Sequence, residues 1–101
     1  MTLEQLRIFI AVAEREHVTQ ASRDLNLTQS ATSAAVSTLE DRHQAKLFDR
    51  IGRRIVLTEA GKIFLSEARA VVARAQAAES VLADLSGLKR GKLTIAASQT
   101  V

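Results

Sequence analysis

The fold of this chain is decided by residues 26–39, which read NLTQSATSAAVSTL. Thr28 is a good helix N-cap, and the stretch after it predicts a helix that runs to about Asp41. On a helical wheel one side forms a predicted core face of Thr32, Ala35, Val36 and Leu39. The opposite side, called here the uncharged face, consists of Ser30, Ser33, Ala34 and Ser37.

The residues before this helix predict two more helices. Thr2 with Gln5 three positions later is a capping-box pattern, and the helix that it starts should end near Arg15. A short helix fits 18–25, with His17 in its N-cap region and Asn26 as a left-handed C-cap. The second and third predicted helices, joined by a tight turn, form a helix-turn-helix.

A basic hairpin is predicted at residues 48–57, which read FDRIGRRIVL. Leu47-Phe48 and 55–57 supply two short strands, and Gly52 allows the chain to turn back. The turn then places Arg53 and Arg54 at the tip, while Arg50 is better placed to brace the hairpin.

An uncharged, hydrogen-bonding helix beside an arginine hairpin has the chemistry needed to contact double-stranded DNA. Small side chains let a helix approach base edges in the major groove, a glutamine amide pairs well with adenine, and arginines contact phosphates or the minor groove. A serine-rich face can also be merely solvent-exposed, but such a face normally carries charges. The predicted DNA contacts are Thr28, Gln29, Ser30, Ser33, Ala34, Ser37, Arg53 and Arg54.

A long fourth helix is predicted from Thr58, its N-cap, to Gly87. Apolar residues recur in it with alternating gaps of four and three, as in a coiled coil. The alternative is an amphipathic helix packed on the core, but the helix is longer than a small domain can cover, which favours dimerisation. The predicted dimer contacts are Phe64, Ala68, Val71, Ala75, Ala78, Leu82 and Leu85.

Composition sets the class of protein and argues against an enzyme. The 101 residues are 47% apolar with no proline and no cysteine, which predicts one small, mainly helical core without disulfides. The formal charge of +3 is modest, and no run is apolar enough to span a bilayer.

His17 and His43 have no metal-ligand spacing and no glycine-rich phosphate loop is present, so neither catalysis nor a cofactor is expected. We expect a cytoplasmic protein with no membrane partner.

The ordered motifs of the chain resemble the LysR-type transcriptional regulators. The resemblance rests on LEQLRIF at 3–9, VTQAS at 18–22, LNLTQSATS at 25–33, LFDR at 47–50 and LTEAG at 57–61. It implies a mainly α, winged helix-turn-helix fold in which the third helix is the recognition helix and Arg53 enters the minor groove. It also implies antiparallel pairing of linker helices in a homodimer, and commonly a tetramer at full length.

Two positions depart from the family pattern. Many relatives have arginine where this chain has Ala34, so a strong guanine contact is missing. Many have a bulky aliphatic residue where this chain has Thr32, and we expect that hydroxyl to bond a carbonyl one turn earlier.

After Gly87 the sequence indicates a hinge at 89–92 and one strand at 93–97 with no partner strand. The expected organisation is a DNA-binding domain at 1–58, a dimerising linker helix at 59–87, and a hinge with the start of a truncated effector-binding domain at 88–101. By resemblance, Ser98 and Thr100 are candidate contacts to a small-molecule effector in the complete protein.

The sequence therefore favours a DNA-binding transcriptional regulator that recognises a roughly palindromic site as a dimer. The alternative is a helical protein-interaction or scaffolding module that dimerises through a coiled coil. A protein-binding head would not require the combination of the uncharged face with the arginine hairpin.

Overall fold

The computed structural model describes residues 1–52 and 54–88, and these form four helices and one hairpin. In chain order the elements are α1 (Leu3–Arg15), α2 (Val18–Leu25), α3 (Gln29–His43), β1 (Phe48–Ile51), β2 (Arg54–Leu57) and α4 (Glu59–Leu88). The head comprises α1 to β2, and α4 packs on it with its first turns. The predicted winged helix-turn-helix followed by a long helix is confirmed.

Local capping chemistry sets the starts of α1 and α2 and the end of α2 where the sequence predicts them. Thr2 and Gln5 form the reciprocal capping box of α1. The Nδ1 atom of His17 accepts a hydrogen bond from the backbone N–H of Gln20 at 3.2 Å, so this histidine caps α2. Asn26 ends α2 in the left-handed conformation with φ of 56°. Helix α3 ends at His43, two residues beyond the predicted end at Asp41. The left-handed residue that caps it is Gln44.

The hairpin differs from its prediction at the start of the first strand. Leu47 precedes β1, because its N–H donates to the Glu40 carboxylate at 2.7 Å and is therefore unavailable to the β ladder. Its carbonyl accepts from the N–H of Thr58, which continues the register of the hairpin by one position. The strands pair antiparallel from Phe48 opposite Leu57 to Ile51 opposite Arg54. Gly52 adopts a φ of 62° in the turn, as the sequence predicts.

The core is centred on Phe9, which is fully buried. Its ring centroid lies 5.4 Å from that of Phe48 in β1 and 5.1 Å from that of Phe64 in α4, both in tilted arrangements. Tilted aromatic pairs at this distance are favourable beyond the area that they bury. This aromatic cluster therefore fixes the hairpin and the start of α4 relative to α1.

A hydrogen-bonded pair of buried hydroxyls joins α2 to α3. Ser22 Oγ lies 2.8 Å from Thr32 Oγ1 and 2.7 Å from the Val18 carbonyl oxygen, and the Thr32 hydroxyl donates to the Thr28 carbonyl at 2.9 Å. The predicted hydrogen bond of the Thr32 hydroxyl to a carbonyl one turn earlier is confirmed, and the residue is fully buried. Because both hydroxyls have partners, their burial carries no unsatisfied polar group.

Helix α4 meets the head along the side that carries Gly61, Ala68 and Val72. Ala68 is 1% exposed and therefore cannot contact a partner chain, so its assignment to a dimer seam is wrong. Phe64 is half-buried and packs on Phe9, so most of its ring is also used within the chain. An ion pair between Arg69 and Glu14, at 2.9 Å, holds α4 against α1.

The close approach of α4 to the chain entering the hairpin requires glycine at position 61. A Cβ atom there would overlap the Leu47 carbonyl oxygen and lie 2.8 Å from Cδ2 of Leu57. Since that carbonyl also accepts the bond from Thr58, it cannot move without breaking this connection.

We expect Gly61→Ala to lower the free energy of unfolding by roughly 1–3 kcal/mol, because a methyl group is forced into packed backbone. Gly87→Ala is the matched control in the same helix, since a Cβ there meets nothing within 4 Å. It should leave stability unchanged or raise it by up to about 1 kcal/mol. Urea unfolding followed by circular dichroism measures both, and equal stabilities for the two variants would contradict the assigned packing.

Candidate nucleic-acid interface

The uncharged face of α3 is accessible along most of its length. Ser30, Ala34 and Ser37 are exposed, and Ser33 is half-buried. Gln29 is exposed at the first position of the helix, while the side chain of Thr28 accepts a hydrogen bond from the N–H of Ala31 as the N-cap. The face that the sequence predicts to lie outward is therefore available to a partner.

The core face of α3 is covered, as predicted. Thr32 and Leu39 are buried, and Ala35 and Val36 are half-buried against the core. The contacts with α1 and α2 hold α3 by this side, so the uncharged face projects from a fixed support.

A groove of about 160 Å³ lies between the start of α2, the start of α3 and the hairpin. Its polar lining consists of His17, Thr19, Gln29, Ser33 and Arg50. Two predicted DNA-contacting residues, Gln29 and Ser33, thus share one concave surface with residues from α2 and β1. Hydroxyl, amide and guanidinium groups converge there, and all of them can donate hydrogen bonds to phosphate or base oxygens.

Arg50 has a different environment from the one that the sequence predicts. It is exposed, and within residues 1–52 and 54–88 it forms no ion pair or side-chain hydrogen bond. It lines the groove beside Ser33 and does not brace the hairpin through Asp49, which instead lies 3.8 Å from Lys46. The signal was present in the sequence, because alternation along β1 puts Arg50 on the same side as the buried Phe48.

The second predicted arginine of the hairpin, Arg54, forms an ion pair. Its Nη2 atom lies 2.9 Å from Oε1 of Glu16, the left-handed cap residue of α1. The Arg54 side chain is 68% exposed, so the guanidinium still reaches solvent. The sequence did not indicate this pairing. Arg53 lies outside the described residues.

Charge is unevenly distributed along α3. The first part of the helix carries none up to Leu39, whereas Glu40 and Asp41 lie at its far end and line a hollow with Lys46, Asp49 and Arg50. The amino terminus of a helix also carries partial positive charge. A polyanion is therefore favoured at the start of α3, where the helix dipole is positive and Arg50 lies beside Gln29, whereas the end of α3 carries charges of both signs, with Arg42 next to Glu40 and Asp41.

The other predicted sites fall on α4 and beyond it. Val71, Ala78, Leu82 and Leu85 are exposed, and Ala75 is half-buried. Ile63 and Val81 were not predicted as contacts, yet they are 68% and 46% exposed. The effector candidates Ser98 and Thr100 lie outside the described residues.

In the part of the chain that the structure describes, no cluster of histidine, aspartate or glutamate could hold a metal ion. No helix there is both long and apolar enough to cross a membrane.

Comparison with known families gives one match, and it covers the whole head. The family described as "Bacterial regulatory helix-turn-helix protein, lysR family" matches residues 3–62. This range includes α1, α2, α3, the hairpin and the first turn of α4.

Curated relatives match along the whole chain. The sequence is 43% identical over 101 residues to a RuBisCO operon transcriptional regulator of Allochromatium vinosum, covering 100% of this chain and 33% of that protein. It is 40% identical over 101 residues to an uncharacterized HTH-type transcriptional regulator of Azotobacter vinelandii, covering 100% of this chain and 70% of that protein. The chain spans about a third of the length of the curated relatives that it matches first.

Several similar solved structures contain DNA, among them the following two. Vibrio fischeri DarR in complex with DNA is 36% identical with a TM-score of 0.81, over 87% of this chain and 30% of that one. The CbnR_DBD–DNA complex is 31% identical with a TM-score of 0.80, over 85% of this chain and 99% of that one.

Proposed function

The chain belongs to the lysR family of bacterial regulatory helix-turn-helix proteins, and we propose that it forms the DNA-binding part of a sequence-specific transcriptional regulator. In this proposal α3 enters the major groove with its uncharged face, and the hairpin follows the adjacent backbone or minor groove. The observation that carries the proposal is the exposed uncharged face beside the exposed guanidinium of Arg50.

Each side chain has a role that follows from its chemistry and position. Gln29 reads a base edge through its amide, and the small residues of the uncharged face allow close approach and contact with thymine methyl groups. Thr28 caps α3 by accepting the N–H of Ala31, and the other free N–H groups of the first turn can bind a phosphate. Arg50 contacts a phosphate, while Arg53 and Arg54 supply the charge of the hairpin, Arg53 in the minor groove.

The absence of an arginine at Ala34 changes the balance of recognition. Without a bidentate guanine contact at this position, specificity depends more on Gln29, on the hairpin and on the shape of the DNA.

The larger assembly is part of the same proposal. Pairing of α4 between two copies presents two recognition helices to a roughly palindromic operator, so both half-sites contribute to affinity. At full length we propose a tetramer in the cytoplasm, controlled by a small-molecule effector through a domain that begins near residue 88. Two points stay predictions. One is the division of the chain into domains at residues 58 and 87, and the other is the contact of Ser98 and Thr100 with an effector.

The competing function is a helical interaction module that scaffolds other proteins. The salt dependence of binding to mixed duplex DNA separates the two. A DNA-binding head releases counterions, so the logarithm of the association constant should fall with the logarithm of salt concentration by about 0.9 per phosphate neutralised. A slope near zero in a fluorescence anisotropy titration would favour the interaction module.

Gln29→Ala should relax base preference, because its amide is the longest neutral group at the start of α3. We expect discrimination between the preferred duplex and one changed at the contacted base to fall by about 1–3 kcal/mol. Thr38→Ala is a suitable control, since this residue is exposed near the far end of α3. Equal losses on specific and random DNA would instead assign Gln29 to positioning.

Replacing the arginines of the hairpin should weaken DNA binding while leaving the helix content intact. For Arg50→Ala, Arg53→Ala and Arg54→Ala we expect the salt slope to become shallower by about 1 for each phosphate that is no longer neutralised. Arg42→Ala removes the same charge from the last turn of α3, away from the groove, and should leave the slope unchanged. If Arg50→Ala behaves like Arg42→Ala while helix content stays constant, Arg50 does not contact DNA.

A further inference from the structure

An ion pair between Glu16 and Arg54 lies at the edge of the groove that Gln29 lines. Glu16 directly precedes His17 in the chain, and Arg54 directly precedes Ile55. His17 and Ile55 both line this groove, one from the cap of α2 and the other from β2. A carboxylate is therefore placed beside the surface that is proposed to bind a polyanion.

The charge of Glu16 is not needed for the end of α1. Its left-handed conformation, with a φ of 52°, belongs to the backbone, and the cap bond to the Val12 carbonyl comes from the backbone N–H. A negative charge is also unfavourable at the C-terminus of a helix, where the dipole is negative. In the described part of the chain the Glu16 carboxylate has one hydrogen-bond partner, Arg54. The role of this carboxylate therefore lies in its contact with the hairpin.

The contact between Glu16 and Arg54 is of a kind that a phosphate can replace. A single pair of atoms, Nη2 and Oε1, makes it at 2.9 Å, and the side chains of Arg54 and Glu16 are 68% and 39% exposed. Exposed ion pairs contribute little to stability, because water and salt screen them and two long side chains must be ordered. A phosphate can instead accept two parallel hydrogen bonds from one guanidinium. The guanidinium can therefore leave Glu16 for a phosphate at little cost to the fold.

The backbone of Arg54 allows this exchange without movement of the hairpin. Arg54 pairs with Ile51 in the last position of the ladder before the turn, so the strand pairing fixes its main chain. Among residues 1–52 and 54–88, its side chain forms its ion pair and hydrogen bond with Glu16 alone. A change of side-chain rotamer is thus sufficient to turn the guanidinium from the carboxylate to a phosphate.

We propose that Glu16 limits the affinity of this chain for DNA by competing with phosphate for Arg54. In the free chain the carboxylate holds the guanidinium, and in the complex the guanidinium turns to a phosphate and leaves Glu16 unpaired. The inference rests on DNA binding by the head, as proposed above, and adds a residue that the sequence does not indicate. Because phosphate contacts carry no sequence information, Glu16 lowers the affinity for every duplex alike.

A double-mutant cycle tests the competition by fluorescence anisotropy with the 101-residue chain and a mixed-sequence duplex at low salt. Glutamine has nearly the shape of glutamate, so Glu16→Gln removes the charge and keeps the end of α1. It should lower the Kd for DNA about threefold, because Arg54 no longer has to leave an ion pair. In the Arg54→Ala background the same change should alter the Kd by less than about 1.5-fold, because no guanidinium remains to be released.

Glu14→Gln is the matched control. It removes the same charge two positions earlier and breaks an ion pair of the same 2.9 Å length, but its partner is Arg69 of α4. The Kd should stay within about 1.5-fold of the original, because a single exposed charge away from the groove is screened by salt. Equal gains from Glu14→Gln and Glu16→Gln, or equal gains with and without Arg54, would indicate a general charge effect and overturn the competition. Weaker binding by Glu16→Gln would also overturn it, since Glu16 would then hold Arg54 in the position that DNA requires.

The side-chain N–H resonances of Arg54 report the exchange of partner directly. In the free chain they should differ between the unmodified protein and Glu16→Gln, because only the first has the ion pair. In the complex with DNA they should coincide, because a phosphate is then the partner in both proteins. Resonances that still differ in the complex would show that Arg54 stays on Glu16, and the proposal would be wrong.

Failure of this inference can be told apart from failure of the proposed function. Each contrary result with the Glu16 variant leaves DNA binding by the unmodified chain in place. If the unmodified chain binds no duplex at low salt, the proposed function is wrong and the competition falls with it.

Discussion

The packing of Phe9 between Phe48 and Phe64 is the contact on which the arrangement of this molecule depends. It joins three elements that are distant in sequence: α1, the first strand of the hairpin and the start of α4. The position of the hairpin beside α3 follows from it, and so does the direction in which α4 leaves the head. The Glu40 carboxylate adds a second connection, because it accepts the N–H groups of Leu47 and Phe48 and so ties the end of α3 to the start of the hairpin.

The packing behind α3 explains how this helix can expose its uncharged face. The helix is held from behind by Leu39 and by the buried hydroxyl of Thr32, so the uncharged face is free of any structural task. Charge enters from neighbouring elements, with Arg50 from β1 and Arg54 from β2. Neutral groups for base edges and cations for phosphates are thus carried by different elements, which is the division of roles that DNA recognition uses.

Helix α4 has a side that the head covers and apolar residues that the head leaves exposed. Near its start, Gly61 and Ala68 turn toward the head, and their small size allows close packing. Ile63 lies on another side, and Leu82 and Leu85 lie beyond the part of α4 that packs on the head, so all three remain exposed. Apolar residues that recur every three or four positions can belong to two adjoining faces of one helix. The heptad pattern of α4 therefore includes residues that the head covers as well as residues that it leaves exposed.

The sequence by itself determined the features that depend on neighbouring residues. These are the caps at Thr2, His17 and Thr28, the left-handed turn at Asn26 and the glycine turn of the hairpin, all set by hydrogen bonds or φ preferences within a few positions. Periodicity likewise identified the buried and open sides of α3.

Only the tertiary structure decided which of the predicted residues remain available. Ala68 is covered by the head, and Arg54 pairs with Glu16 across 38 positions. The groove that Arg50 lines is formed with residues of α2 and α3, and the N–H of Leu47 donates to Glu40 and is lost to the β ladder. The physical reason is that helical and strand periodicity show that a side is apolar or charged, whereas what covers that side is set by the packing of elements distant in the chain.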